Sequence, residues 1–511
     1  MKAKILYVVF GFLIGIIAIG CNEARQREKE VTSSASYKMT TPIPEGIEIP
    51  DQVDSRLGTL KFFDGFPDDA TVAKLYDNLD FQRAVQAYLL GMPAVSMAAF
   101  RKALATFGPA NITIPTWETL INSRAVGLTA NCNTPYTTIW IDLHNGPVVA
   151  EIPPRVLGFF NDSWSRYAED AGMLGPDKGE GGKYLILPPG DPGVVPDGYF
   201  VVRSMTFGCL LLYRHFAVNG DFKPAMENYR KFAKVYLLSQ AGNPPGNDFV
   251  NLSDKEFCSV APADYSFWEY LNEVIQEEPV EAYDRVSLGF FASIGIEKGK
   301  PFAPDDRMKK ILADAVVVGD ATARAITYRL REKEIFMYEG SHWRQVFLGD
   351  YKLETHPVIL NLDAYAYFSF LLLGNSPAED MEFIDKGSQY AIATTDSEGK
   401  PFDGSKDYIL HLPPDVPVKE FWSIIVYDYQ TRSFLQTDQQ YPMVSSQNKG
   451  LIINPDGSID VYFGPKVPAG KENNWVQTIP GKGWFTFLRL YSPGKAWFEK
   501  TWRPGEIELI Y

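Results

Sequence analysis

The chain of 511 residues carries 49 Lys and Arg against 63 Asp and Glu, a formal net charge of −14. With no stretch where basic residues gather, that balance excludes a nucleic-acid partner, because neutralising phosphates needs clustered cations. Hydrophobic residues at 45 % supply ample material for burial, and four cysteines at wide spacing fit neither a disulfide framework nor a thiolate zinc site.

In chain order, Lys2 and Lys4 form a basic head before the uncharged apolar run Ile5 to Ile19, which is shorter than the ~20 residues a spanning helix needs. Ala18-Ile19-Gly20-Cys21 follows. The pattern resembles a bacterial lipoprotein signal, in which small residues precede a cysteine that is lipidated. It predicts a signal peptide over 1–21 with lipidation at Cys21, a polar tether over 22–40, and a chain held by its lipid to the membrane of the cell envelope, as a periplasmic or outer-membrane lipoprotein. Cys132, Cys209 and Cys258 read as buried small hydrophobes.

A helical lead-in is predicted over 41–110. From Asp69 to Phe107 the apolar residues recur at three- and four-residue steps, with Pro93 breaking or kinking the run. Over 111–220 the period becomes two. In TTIWIDL, Ile139, Ile141 and Leu143 alternate with Thr138, Trp140 and Asp142, and Asn145-Gly146 predicts a tight hairpin into PVVAEIP.

A second helical block is predicted over 221–345. Pro224 suits a first helical position, Phe267, Tyr270, Leu271, Val274 and Ile275 share one face, and an aspartate caps DDRMKKILADAVVVGDATARAITYRL. Over 346–511 strands return in DYILHLPP, FWSIIVYDY, INPDGSIDVYFGP and WFTFLRLYSP, with a turn at Asn454-Pro455-Asp456-Gly457 and no helix between them. The fold class is α+β and multidomain: two antiparallel, jelly-roll-like β-sandwich domains with helical N-terminal and central regions.

Gly175 to Gly190 places glycines and lysines before an apolar run, as a phosphate loop does. The spacing fails: Asp177 stands where the first Walker glycine belongs, and Tyr184 where the Ser or Thr belongs. The run KYLILPPG reads as a strand, whereas phosphate loops open a helix. A glycine-rich β connection is predicted, with no nucleotide or other cofactor.

The stretch VGLTANCNTPYTTIWIDLHNGPVVAEIPPRVLGFFNDSWSRYAEDAGMLGPDKGEGGKYLILPPG resembles the bacterial domain of unknown function numbered 1254. AIATTDSEGKPFDGSKDYILHLPPDVPVKEFWSIIVYDYQTRSFL, with VYFGPKVPAGKENNWVQTIPGKGWFTFLRLYSP, resembles its usual partner, numbered 1214. The resemblance implies two jelly-roll β-sandwiches with helices between and brings no settled activity. Where many relatives read Asn-x-Asp-Thr-x-Tyr, this chain has Asn131, Asn133, Thr134 and Tyr136, so no carboxylate stands there.

Candidate site residues come from those stretches. An extended backbone puts Asp162, Trp164 and Arg166 on one face, a carboxylate, a ring and a planar cation suited to gripping a small polar ligand. Asn131, Asn133 and Tyr136 add hydrogen-bonding groups, and Asp428, Arg432 and Trp475 repeat the mixture. All nine are expected in one cleft, although the same polar groups also suit a self-satisfied structural network. The five histidines are scattered without metal-ligand spacing. Two functions follow: a lipid-anchored protein that binds a small polar molecule, a glycan or a neighbouring protein, or an envelope hydrolase or lyase using carboxylate, Arg, Asn and Tyr groups. The oligomeric state is left open.

Overall fold

The computed structural model of the chain describes residues 38–356 and 358–510, so the signal segment, Cys21 and most of the tether lie outside the described residues. One compact unit ends at Leu75 and another begins at Tyr76. The first holds an antiparallel meander of β1 (Gln52–Ser55), β2 (Gly58–Phe63) and β3 (Phe66–Pro67). The sequence predicts a helical lead-in over 41–110, with helical periodicity from Asp69 to Phe107. Gly58 and Gly65, at φ of 87° and 82°, instead supply the left-handed turns that short strands require.

Helix α1 (Asp69–Ala105) starts with the Asp68 carboxylate accepting from Thr71 N at 2.8 Å. It runs through Pro93 rather than ending there. A proline inside a helix costs about 3 kcal/mol. Burial of Met92, Val95, Met97 and Phe100, at about 1.5–3 kcal/mol for each large side chain, outweighs that.

Residues 113–251 build two sheets. The six-stranded one has the order β14-β4-β6-β12-β8-β9: β4 (Thr113–Trp117), β6 (Tyr136–Asp142), β8 (Val156–Asp162), β9 (Tyr167–Gly172), β12 (Gly208–His215) and β14 (Asp248–Asn251). The four-stranded one has the order β11-β10-β7-β13: β7 (Val148–Ile152), β10 (Gly182–Leu187), β11 (Phe200–Arg203) and β13 (Lys234–Leu237). They share a core to which Ile139, Ile141, Leu211 and Tyr213 come from one sheet and Val148, Ala150, Tyr184 and Val235 from the other.

The C-terminal part repeats this plan. Its inner sheet runs β16-β19-β26-β22-β23, with β20 (Phe402–Asp403) also paired to β26; the strands are β16 (Arg344–Gln345), β19 (Ser388–Ala393), β22 (Val418–Asp428), β23 (Met443–Ser445) and β26 (Gly483–Pro493). The outer one runs β25-β24-β21-β27: β21 (Tyr408–Leu412), β24 (Ile459–Gly464), β25 (Trp475–Gln477) and β27 (Ile507–Leu509). Two short pairs complete the strands: β5 (Ala125–Val126) with β15 (Phe257–Cys258), and β17 (Glu354–His356) with β18 (Ile359–Leu360). The remaining helices are α2 (Lys223–Phe232), α3 (Ser266–Glu277), α4 (Arg285–Ser293), α5 (Asp306–Tyr328), α6 (Leu362–Leu371) and α7 (Lys495–Phe498).

The two inner sheets are buried on both faces. Alternation sends Leu211 and Tyr213 of β12 into one core and Leu210 into another, where it joins Trp117 and Trp140. Ile425, Tyr427, Phe485 and Phe487 of the second inner sheet enter that same cluster, as do Tyr367 and Leu371 of α6. One apolar layer therefore joins the two halves. The fold is mixed α+β, with seven helices, several sheets and no closed barrel among the described residues.

Four expectations need correction. The sheets are not purely antiparallel: β4 with β14, β10 with β11 and β24 with β25 run parallel. Asn145-Gly146 is a turn, with Gly146 N donating to Leu143 O at 3.1 Å, but β6 and β7 lie in different sheets. Two-residue alternation on either side of a turn is the same whether the strands pair or face each other across a core, so sequence cannot separate a hairpin from a corner. The block 221–345 contains β13 and β14, which complete the first pair of sheets. Finally, α6 interrupts the C-terminal strands. Leu362–Leu371 is apolar on every side and carries no helical stripe, yet Asn361 caps it by accepting from Ala364 N at 3.0 Å.

Candidate functional site

The run before β6 is tied by its own amides. Asn131 Oδ1 accepts from Asn133 N at 3.0 Å, and Asn131 Nδ2 donates to the Tyr136 hydroxyl at 3.1 Å. Asn133 Nδ2 reaches the other half of the molecule, donating to Ser445 Oγ at 3.1 Å and Gln447 Oε1 at 3.2 Å.

Asp162 ends β8, and the chain turns at Ser165, whose φ is 59°. The extended geometry predicted for Asp162, Trp164 and Arg166 is therefore not formed. Asp162 accepts from Trp164 N at 2.8 Å, Arg166 N at 3.0 Å and Arg166 Nε at 2.7 Å, while Arg166 Nη1 donates to Ala282 O at 2.6 Å. Asp428 and Arg432 clamp a second turn differently. Asp428 accepts from Gln430 N at 2.6 Å and pairs with Lys482, whereas Arg432 lies 4.0 Å over the Phe370 ring. Trp475 Nε1 donates to Gly464 O at 3.0 Å on the outer sheet.

The nine residues do not share one cleft. Asn131 and Tyr136 line one cavity, Trp164 and Arg166 line another, and Asn133, Asp162, Asp428, Arg432 and Trp475 line neither. A polar group near a turn is satisfied most cheaply by the backbone next to it, which is why these sequence-local clusters close on themselves.

The first of those cavities, of about 140 Å³, lies where the inner sheets approach, lined by Tyr136, Leu212, Arg214, Glu379, Tyr390 and Arg489 among others. Arg214 sits on β12 opposite Tyr136 of β6, and Arg489 on β26 opposite Tyr390 of β19. Each occupies a central strand, in line with apolar residues of that strand: Leu210 and Leu212 on β12, and Phe485 and Phe487 on β26. Arg214 is 6 % exposed and Arg489 6 %. Neither has a carboxylate oxygen within ion-pairing distance among the described residues. Arg214 Nη1 donates to Ser388 Oγ at 3.1 Å, and Arg489 donates to the Thr129 carbonyl while its Nε lacks a hydrogen-bond partner.

Aromatic rings take the place of counter-ions. The Arg214 guanidinium lies 5.2 Å from the Tyr491 ring centroid and 5.7 Å from Tyr136; that of Arg489 lies 5.1 Å from both Tyr390 and Phe487. A desolvated cation over a ring gains about 2 kcal/mol, against a burial penalty of several kcal/mol per ion. The rings offset the penalty only in part. Glu379 is an acid that acts on both cations, accepting from the Tyr390 hydroxyl at 3.0 Å, and its Oε2 is buried without a partner. Burial raises the Glu379 pKa despite the cations, so one shared carboxyl in a desolvated place faces two fixed positive charges.

Behind Glu379 stand further acids. Asp170 is pushed up to about 7 by burial and then by Glu169, and Asp380 to about 7 by burial and then by Asp350; Glu379 contributes to both. The arrangement can hold a small molecule with one anionic end between the guanidiniums and an apolar body against Phe159, Leu212 and Phe487.

Sequence reading missed Arg214, Arg489 and Glu379. The signal was present for the two arginines: each interrupts a long apolar strand, in CLLLYRHF and WFTFLRLYSP. Glu379 ends a 3-10 turn outside any strand and carries no such signal.

Other motifs resolve locally. Gly175 to Gly190 joins β9 to β10 and leads into a strand, with Asp177 accepting from Gly172 N at 2.7 Å and Gly181 N at 3.0 Å. Cys132 and Cys209 are buried, but Cys258 is exposed, against expectation. His215 is buried beside Thr137 Oγ1 at 2.8 Å, and burial pushes its pKa down to about 3. Among the described residues no group of three or more His, Cys, Asp or Glu could hold a metal ion, and no helix is long and apolar enough to cross a membrane.

Comparison with known proteins adds family and fold. Residues 113–237 match the family model described as Protein of unknown function (DUF1254), and residues 387–495 the one described as Protein of unknown function (DUF1214). No curated protein matches the chain. Among solved structures it is similar to the VPA0106 protein from Vibrio parahaemolyticus, with a TM-score of 0.52 at 20 % identity over 84 % of this chain and 100 % of that one. A putative uncharacterised protein from Burkholderia cenocepacia aligns with a TM-score of 0.38 at 12 % identity, over 85 % of this chain and 96 % of that one.

Proposed function

We propose, for a chain that carries a DUF1254 domain followed by a DUF1214 domain, that it binds a small organic anion, a carboxylate on an apolar or aromatic body, in the cavity between its inner sheets. One observation carries the reading: Arg214 and Arg489 are both buried on the cavity wall and neither has a carboxylate ion pair among the described residues. Two buried cations that share one carboxyl leave a positive charge uncompensated, and a ligand anion would supply the missing charge while its body fills the apolar space. Asn131, Tyr136 and Tyr390 stand beside the cations to orient the ligand.

In this reading each pair of sheets is a jelly-roll-like β-sandwich, Cys21 carries a lipid anchor, and residues 22–40 tether the binding part to the cell envelope. A second reading, a hydrolase or lyase, is favoured by Glu379, a carboxyl on the cavity wall with one oxygen lacking a partner and its pKa raised by burial, the direction a general acid needs.

The test is thermal unfolding of the mature chain with a panel of aliphatic and aromatic monocarboxylates, benzoate first, each paired with its neutral amide. The carboxylates are expected to raise Tm by mass action and the amides to leave it unchanged, with the shift lost in Arg489→Met. Equal behaviour of acids and amides, or no shift across the panel, overturns the proposal. Product formation followed in the same samples decides between binding and turnover.

A further inference from the structure

A second cavity, of about 510 Å³, carries a different chemistry. It lies where the β8 to β9 turn meets α1, the start of α4, and α6, and its wall includes Trp164, Tyr167, Tyr283, Tyr351, Tyr365 and Phe368. The rings are fixed by one another. Trp164 Nε1 donates to the Tyr365 hydroxyl at 3.0 Å, and that hydroxyl donates to the Leu90 carbonyl at 3.2 Å, one turn before Pro93. Trp164 lies 4.3 Å from Tyr283, and Tyr167 lies 5.8 Å from Tyr351.

The charges on this wall are balanced where they are buried. Arg166 is paired with Asp162 at 2.6 Å, and Asp284 is occupied by the start of α4, accepting from Val286 N at 3.0 Å and Ser287 N at 2.9 Å. The other charged lining residue, Lys352, is exposed to solvent and lies 5.7 Å over the Tyr351 ring, so an added anion or cation gains little there. Two lining residues nevertheless carry oxygens short of a partner: the Tyr283 hydroxyl and Asn375 Oδ1, both shut off from bulk water. Native interiors leave few such groups, and each asks for a water or ligand.

We infer that this cavity binds a neutral, hydroxyl-rich ring, a monosaccharide or the end of a short glycan. A volume of 510 Å³ falls in the range of small-molecule sites. Aromatic faces take the apolar faces of a sugar ring, the Tyr283 hydroxyl and Asn375 Oδ1 take its hydroxyls, and the balanced wall selects against charge. The site is separate from the Arg214 and Arg489 cavity and does not depend on it.

Calorimetric titration of the mature chain with glucose, galactose and N-acetylglucosamine tests the inference, with Tyr283→Phe as the variant because it removes one oxygen and leaves the ring in place. At least one of the three sugars is expected to bind, benzoate is expected not to displace it, and Tyr283→Phe is expected to weaken it about tenfold, the effect of one buried hydrogen bond. Absence of binding by all three sugars, displacement by benzoate, or unchanged affinity in a folded Tyr283→Phe chain overturns it.

Discussion

The Asp162 to Arg166 corner and the Arg214 to Arg489 cavity both set guanidinium groups among aromatic rings, and they resolve the charge in opposite ways. At the corner, Arg166 meets Asp162 at 2.6 Å within one turn of chain. In the cavity, cations from strands far apart in sequence meet rings, a hydroxyl and a carbonyl. A polar motif that is dense along the chain thus marks groups that satisfy each other. A site with unspent binding capacity arises where tertiary packing brings charges together without partners.

The largest effect that tests this contrast is at the corner. Asp162→Ala removes the acceptor for Trp164 N, Arg166 N and the Arg166 guanidinium, and is expected to destabilise the fold by about 3 kcal/mol in urea unfolding. The estimate sits at the low end of that for a fully buried pair because the Arg166 side chain is 35 % exposed. A loss under about 1 kcal/mol would erase the distinction.

A smaller effect of opposite sign is expected in the cavity. Arg489→Met replaces a buried, unpaired cation by an apolar side chain of similar reach and is expected to leave the ligand-free chain as stable, or to stabilise it by about 1–2 kcal/mol. Strong destabilisation would show that the rings and the Thr129 carbonyl already satisfy the charge, which makes Arg489 structural.

The third test reads a change of slope. Asp170 keeps its proton up to about 7 in the folded chain but ionises near 3.8 when unfolded. Between those values the folded state binds more protons, so stability is full below pH 4 and falls as pH rises to 7. Asp170→Asn is expected to flatten the dependence of Tm on pH across that window. An unchanged slope would mean that Asp170 is charged in the fold and that the acids behind Glu379 already compensate the arginines.

Legibility in the sequence followed the range of the interaction. Capping of α5 by Asp305, which accepts from Met308 N at 2.8 Å, the turn at Asn454 to Gly457, where Gly457 N donates to Asn454 O at 2.9 Å, and strands such as β22 and β26 all rest on neighbours within a few residues. Tyr136 and Asn131 were legible as polar groups, but their place beside Arg214 was not. That place follows from β6 pairing with β12 in the register Tyr136 to Arg214, a contact across the sheet.

By itself, then, the sequence determined the tandem order of the two domains, the helix from Asp69, the capped start of α5 and the turn at Asn454 to Gly457, because periodicity, capping and turn chemistry act locally. Only the tertiary structure decided that β6 and β7 face each other across a core, that both inner sheets are buried on two sides, and that Arg214, Arg489 and Glu379 converge. The physical reason is that a residue's alternation gives the face it points to but not what lies opposite, and an interior charge acquires its meaning from what lies opposite.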